Sequence, residues 1–276
     1  MIDLHSHTTA SDGQHTPAEL FSLAARAGVT TLAVTDHDTV AGLAACAEAA
    51  RTEGLTLVPG IELSAFVNGR EVHILGHFID PLEARLGGFS TLLRGERESR
   101  MVQMVAKLQG LGYPVTMNDV LAIAGDAHLG RPHLARVLVA KRYVADTKEA
   151  FDRFLGDGKP ACVGRFKISG EDAITLIRGA NGSATVAHPG VSRVERAELV
   201  KLKAAGLAGV EVMHSDHAPS MREKYLALAR ELDLISTAGS DFHGEQVAPG
   251  RNLGTASMPQ ADFEALRLRA AQTPKG

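Results

Sequence analysis

The chain has 276 residues, room for one large domain or two ordinary ones, and its 45% hydrophobic and 22% charged residues are the balance of a globular protein. Lys and Arg number 29 against 32 for Asp and Glu, so bulk charge does not hold this protein on duplex nucleic acid. No apolar run approaches the roughly 18 to 20 residues of a bilayer span, and Met1-Ile2-Asp3-Leu4-His5 has neither the basic start nor the apolar core of a signal peptide.

Residues 2–5 read as a short strand followed by a polar turn at Ser11-Asp12-Gly13. Thr16-Pro17-Ala18-Glu19 joins a capping box to proline at the first helical position. Leu20, Leu23, Ala24 and Ala27 share the face of that helix, and Gly28 closes it. Residues 31–36 form a buried-strand run, an Ala-rich helix follows over about 40–52, and 55–63 and 72–78 are the next two strands. From about 90 to 159 the strand signal fades. Helices are expected there at 89–110, 117–124, 132–141 and 147–155, with Thr116 to Asp119 as a second cap. The alternation then resumes, with strands at 184–188, 208–213 and 234–238 and helices at 169–179, 194–205 and 219–232. Seven strands interleaved largely with helices predict a parallel sheet or an α/β barrel over 1–89 and 160–276, with a helical insertion at 90–159.

Twelve histidines stand in this chain against two cysteines, and most of them neighbour Asp or Glu. Cys46 and Cys162 lie in apolar segments, are expected to be buried, and make no disulfide framework, which places the chain in the reducing cytoplasm. The polar residues fall at strand ends. His5 and His7 close the first strand, His37 the second, Glu62 the third and His188 the fifth; Glu211 and His214 end the sixth, and Asp241 and His243 follow the seventh. In α/β barrels the C-terminal ends of the strands build the site. In extended chain, positions i and i+2 project to one side, so His5 with His7, and Asp241 with His243, are each spaced to grip one ion. Glu62 offers two oxygens to neighbouring ions. Asp12 taken alone reads as a turn residue before Gly13 sooner than as a rim ligand, and His73 as a buried histidine or a ligand. His15, His77, His128 and His217 show no such spacing and read as structural or surface residues. With no thiolate in the set, Mn²⁺, Fe²⁺ or Zn²⁺ held by imidazole and carboxylate is expected.

The ordered motifs His5-Ser6-His7, Asp12-Gly13, Thr35-Asp36-His37-Asp38, Gly60-Ile61-Glu62, His73-Ile74-Leu75-Gly76, His188-Pro189 and Asp241-Phe242-His243 resemble the polymerase-and-histidinol-phosphatase (PHP) family over almost the full chain. The resemblance implies a distorted seven-stranded β/α barrel with two or three divalent metals, manganese first among them. It implies three overlapping sites: His5, His7, Glu62 and Asp241; Asp12, His37 and His243; and Glu62, His73 and His188. Arg131-Pro132-His133, with Arg97 and Arg100, is similar to the family's nucleotide phosphatase branch. This implies removal of the 3'-phosphate from nucleoside 3',5'-bisphosphates, or trimming of short RNA from its 5' end, with a small nucleotide as partner.

The expected chemistry is attack on phosphorus by a metal-bridged hydroxide, with Asp12, His37 and His243 assisting and His214 a further candidate. Arg131, and behind it Arg97, Arg100, His133 and Arg251, are the candidates for a second phosphate. The alternatives are a histidinol-phosphate-type phosphomonoesterase and a polymerase-associated module of the same family; the insertion disfavours the first and the intact ligand set a decayed form of the second.

Overall fold

Short β-branched and apolar runs closed by polar turns become eight strands: β1 (Ile2–Asp3), β2 (Thr31–Val34), β3 (Thr56–Val67), β4 (Arg70–His77), β5 (Ile168–Ser169), β6 (Ser183–Val186), β7 (Gly209–His214) and β8 (Ile235–Gly239). The computed structural model describes residues 1–124, 129–164, 166 and 168–272, so His128 lies outside the described residues. Seven strands follow one another in the order β1-β2-β3-β4-β6-β7-β8, and β5 pairs along β3. The two ends of that path meet. Leu4 N–H donates to Ala238 O at 3.0 Å, His7 N–H to Phe242 O at 3.0 Å, and Asp241 N–H to His5 O at 2.9 Å. The result is the nearly closed seven-stranded α/β barrel that the alternation predicts.

One strand departs from the parallel pattern. β4 is antiparallel to both β3 and β6. Asn68 and Gly69 both take left-handed backbone, with φ of 50° and 79°, and make a two-residue turn that reverses the chain. The β3–β4 hairpin pairs from Gly60 with His77 out to Val67 with Arg70. Glu62 therefore stands inside β3 and not at a strand end, as its place in the sequence suggests, because hairpin pairing carries the strand past the rim. His37, beyond the end of β2, pairs beside Glu62 as an isolated bridge.

The first helices of this unit are α1 (Pro17–Arg26) and α2 (Leu43–Glu53), and α3 (Ala84–Gly110) begins in it. The Thr16–Glu19 capping box forms as read, and Leu20, Phe21 and Ala24 are buried on its helix. Leu32 and Val34 belong to one hydrophobic cluster and the intervening Ala33 to another, so both faces of β2 are covered. Cys46 is buried on α2, but Cys162 is only half-buried, so the expectation for it fails; its thiol lies 4.0 Å from the exposed Asp157.

A second unit spans Thr91–Phe166 and is helical: the rest of α3, then α4 (Met117–Ala124), α5 (Arg131–Ala140), α6 (Thr147–Ala150) and a π-helical turn at Phe151–Leu155. Met104, Leu108, Val120, Leu134, Leu138 and Leu155 form its own core. The remaining helices are α7 (Gly170–Gly179), α8 (Arg196–Ala204), α9 (Pro219–Glu231) and α10 (Gln260–Ala271). No capping signature marks α10 in the sequence, and its start has no side-chain cap. Phe263 and Leu266 secure it by packing with Ile2, Leu4, Ala33 and Val58.

Candidate metal centre

Backbone hydrogen bonds and one buried carboxylate shape the rim before any ligand is considered. Asp36, at the end of the second strand run, accepts from Thr8 N–H at 2.8 Å, from the Thr8 hydroxyl at 2.7 Å and from the Ser11 hydroxyl at 2.7 Å. It thereby folds the loop that bears Asp12 against the barrel. His188 and Asp241 have φ of 28° and 54°, conformations that non-glycine residues adopt at some cost and that cluster at functional sites.

Glu62 is the hub. It is fully buried, and its two oxygens face different partners. Oε1 lies 2.8 Å from His73 Nδ1 and 3.1 Å from His188 Nε2. Oε2 lies 3.2 Å from His5 Nε2, 3.2 Å from His7 Nε2 and 3.1 Å from His37 Nδ1. Asp241 Oδ1 stands 3.2 Å from both His5 Nε2 and His7 Nε2. Asp12 Oδ1 lies 3.3 Å from His243 Nε2, and its Oδ2 lies 3.7 Å from His37 Nε2. His243 Nδ1 donates to the Asp241 carbonyl at 2.9 Å, which leaves the Nε2 lone pair turned to Asp12.

All nine residues named by the motifs thus stand in one connected cluster. Ligand-competent atoms gather as His5, His7, Glu62 and Asp241; as His7, Asp12, His37 and His243; and as His37, Glu62 and His73. Relative to the sets implied by resemblance, His7 also approaches the Asp12 group and His37 also approaches His73. The His188 imidazole meets Glu62 through Nε2 at 3.1 Å.

These residues fit divalent cations on their own geometry. Among the described residues, His7 Nδ1 and Nε2, His37 Nδ1, His188 Nδ1 and Asp241 Oδ1 are buried without a hydrogen-bond partner. Buried polar atoms are rarely left so, and the ligand-competent atoms of each group lie close enough together to share an ion. Electrostatics agrees. Burial alone would raise the Glu62 pKa, but His37, His73 and His5 more than offset it and hold the carboxyl well below its usual range. Burial disfavours the charged form of His7, yet Asp241 and Glu62 lift its pKa to about 9. His73 is raised to about 10, because Glu62 and Glu71 outweigh its burial. His37 moves the other way, down to about 4, because burial outweighs the pull of Glu62. The pocket draws positive charge, and its N and O donors without thiolate suit Mn²⁺, Fe²⁺ or Zn²⁺.

Two further residues belong to this neighbourhood. Glu211, at a strand end in the sequence but outside the motifs, forms a three-residue cluster with His5 and His214. His214 is buried, accepts from Asp216 N–H on Nδ1 at 3.1 Å and turns Nε2 to Asp241 Oδ2 at 3.3 Å. It therefore faces a carboxylate of the cluster and not solvent.

Beside Asp12 and His243 opens a cleft of about 420 Å³, lined also by Asp216, Val247, Ala248, Pro249 and Arg251. The Arg251 guanidinium is paired with Asp241 and Asp216. The other sequence-predicted cations lie in the helical unit. Arg97 and Arg100 are on α3. Arg131, at the start of α5, donates to Leu155 O at 3.1 Å and to Asp157 at 2.8 Å. His133 Nδ1 accepts from Gly130 N–H at 3.1 Å and so caps that helix.

Residues 3–153 match the PHP domain family. The chain is 36% identical to a 3',5'-nucleoside bisphosphate phosphatase of Chromobacterium violaceum, over 98% of this chain and 99% of the relative. It is likewise 36% identical to a 5'-3' exoribonuclease of Haemophilus influenzae, over 87% of this chain and 89% of that one. A provisionally assigned metal-dependent phosphoesterase of Bifidobacterium adolescentis superposes with a TM-score of 0.83 at 32% identity, covering 97% of this chain and 95% of that structure.

Proposed function

The chain belongs to the PHP domain family and is a phosphoester hydrolase, and we propose that it removes the 3'-phosphate of nucleoside 3',5'-bisphosphates and trims short RNA from the 5' end as a second activity. The observation that carries the metal-dependent reading is Glu62, whose two oxygens are divided between His73 with His188 and His5 with His7 and His37. In this reading His5, His7, Glu62 and Asp241 hold one ion, Asp12, His37 and His243 a second, and Glu62, His73 and His188 a third, manganese being the first choice for a set of imidazoles and carboxylates. When bound, such ions lower the pKa of water toward neutrality and offset charge on phosphoryl oxygens.

The chain's own residues supply the rest. Asp36 holds the Thr8–Ser11 stretch, and so Asp12, at the mouth of the cleft. His243, locked by its bond to the Asp241 carbonyl, lines the same cleft, which receives the phosphoryl group. Arg251 lines it too, and a phosphate there competes with Asp241 and Asp216 for its guanidinium. Arg131, with Arg97, Arg100 and His133, is assigned to the phosphate that stays on the nucleotide, and the helical unit to substrate capping. The buried, unpaired Cys46 thiol supports a reducing, cytoplasmic setting. A kinetic panel with Mn²⁺ tests the assignment: adenosine 3',5'-bisphosphate, 3'-AMP, 5'-AMP, histidinol phosphate and di- to pentanucleotides. The bisphosphate is expected to give the highest kcat/KM. A preference for histidinol phosphate, or no gain from the second phosphate, overturns it.

A further inference from the structure

Behind the edge of His5 that faces Glu62 lies a buried carboxylate to which the ligand assignment gives no role. Glu211 on β7 is 1% exposed, and two donors end on it. The Nδ1 of His5 lies 3.1 Å from Glu211 Oε1 and 3.4 Å from Oε2. The main-chain N–H of His188 donates to Oε2 at 2.7 Å. A carboxylate only accepts, so this contact puts the His5 proton on Nδ1. It leaves the Nε2 lone pair turned to Glu62 and Asp241, each 3.2 Å away. The same carboxylate pins the N–H of His188, whose backbone sits in a sparsely populated conformation at φ 28°.

From these contacts we propose that Glu211 is a positioning residue that sets the tautomer and ring orientation of His5 and, through its second oxygen, the backbone of His188. One carboxylate thereby keeps two donor groups in register, those of Asp241 with His5 and of Glu62 with His188. The inference rests on the metal-centre reading of the cluster, and its test separates the two.

Wild type and Glu211→Gln are freed of metal and titrated with Zn²⁺ by calorimetry. Glutamine keeps the shape but has one acceptor oxygen for two donors, so one bond is lost. Zn²⁺ binding by Glu211→Gln should weaken roughly 10- to 100-fold, the usual effect of removing a carboxylate behind a ligating histidine, with an unchanged far-ultraviolet circular dichroism spectrum. Equal affinity in the two proteins overturns the positioning role and leaves the metal centre standing. Failure of wild type to bind Zn²⁺ overturns both. A second measurement needs no substitution and holds even where Glu211→Gln does not fold. Nitrogen-15 NMR of the histidines in Zn²⁺-loaded wild type should show His5 protonated at Nδ1, and protonation at Nε2 instead overturns the proposal.

Discussion

Gly239 stands so near His5 that a Cβ on it would lie 2.2 Å from the His5 Cβ. The same atom would come within 2.7 Å of Glu211 Oε1. The last barrel strand therefore meets the first through a residue with no side chain, and the space saved is where the His5–Glu211 contact forms. Gly239→Ala should displace His5 and cost about 1 to 3 kcal/mol of stability, the usual effect of overfilling a packed interior. Urea unfolding gives the stability and Zn²⁺ titration the binding. A variant with wild-type values for both would show that the strand moves aside freely.

Glu62 supports a sharper expectation, because each of its oxygens serves a different group of histidines. Glu62→Gln should lose more than one equivalent of bound metal and lower turnover by orders of magnitude, as each ion supplies several kcal/mol of transition-state stabilisation. Metal analysis of the purified variant decides it. Loss of a single equivalent, with the remainder tightly held, would confine Glu62 to one ion.

His77 is fully buried, and its Nε2–H donates to the Leu4 carbonyl at 2.9 Å. Burial pushes its pKa down to about 4, with His5 adding to the depression and the Leu4 carbonyl opposing it. In an unfolded chain a histidine titrates near 6.5, so above about that pH both states are neutral and His77 contributes no pH dependence. As pH falls from about 6.5 to about 4, the unfolded chain takes up a proton that the folded one refuses, and up to about 3 kcal/mol of stability is lost. Urea unfolding of wild type and His77→Gln at about pH 7.5 and about pH 4.5 should show the smaller loss in the variant. Equal losses would place the acid sensitivity elsewhere.

Arg131 and Asp157 test the substrate assignment together. Asp157 is largely exposed and holds the guanidinium at 2.8 Å. Arg131→Ala should cut kcat/KM for adenosine 3',5'-bisphosphate by roughly ten- to a hundredfold, the weight of a hydrogen bond to a charged group, and leave a simple aryl phosphate little changed. Asp157→Ala, which removes the competing anion and keeps the cation, should retain activity on the bisphosphate. Equal losses on both substrates for Arg131→Ala would point to a folding role through Leu155 and Asp157.

What the sequence determined by itself is local in its physics. The Thr16–Glu19 capping box closes within one helical turn, and the strand runs at 31–36 and 208–213 declare themselves by their clustered apolar and β-branched residues. The i, i+2 pairs His5 with His7 and Asp241 with His243 follow from backbone alternation, and the order of such pairs along the chain made the barrel rim legible. What tertiary structure alone decided involves partners far apart in sequence. The Asn68-Gly69 turn places Glu62 within a hairpin strand, and α10 is held by packing on Leu4 and Val58 without a cap of its own. Glu211 meets His5 across 206 residues, and Arg251 is occupied by Asp241 and Asp216. Periodicity and capping record forces that act within a few residues. Barrel closure sets which distant side chains share a buried volume, and no local pattern encodes that.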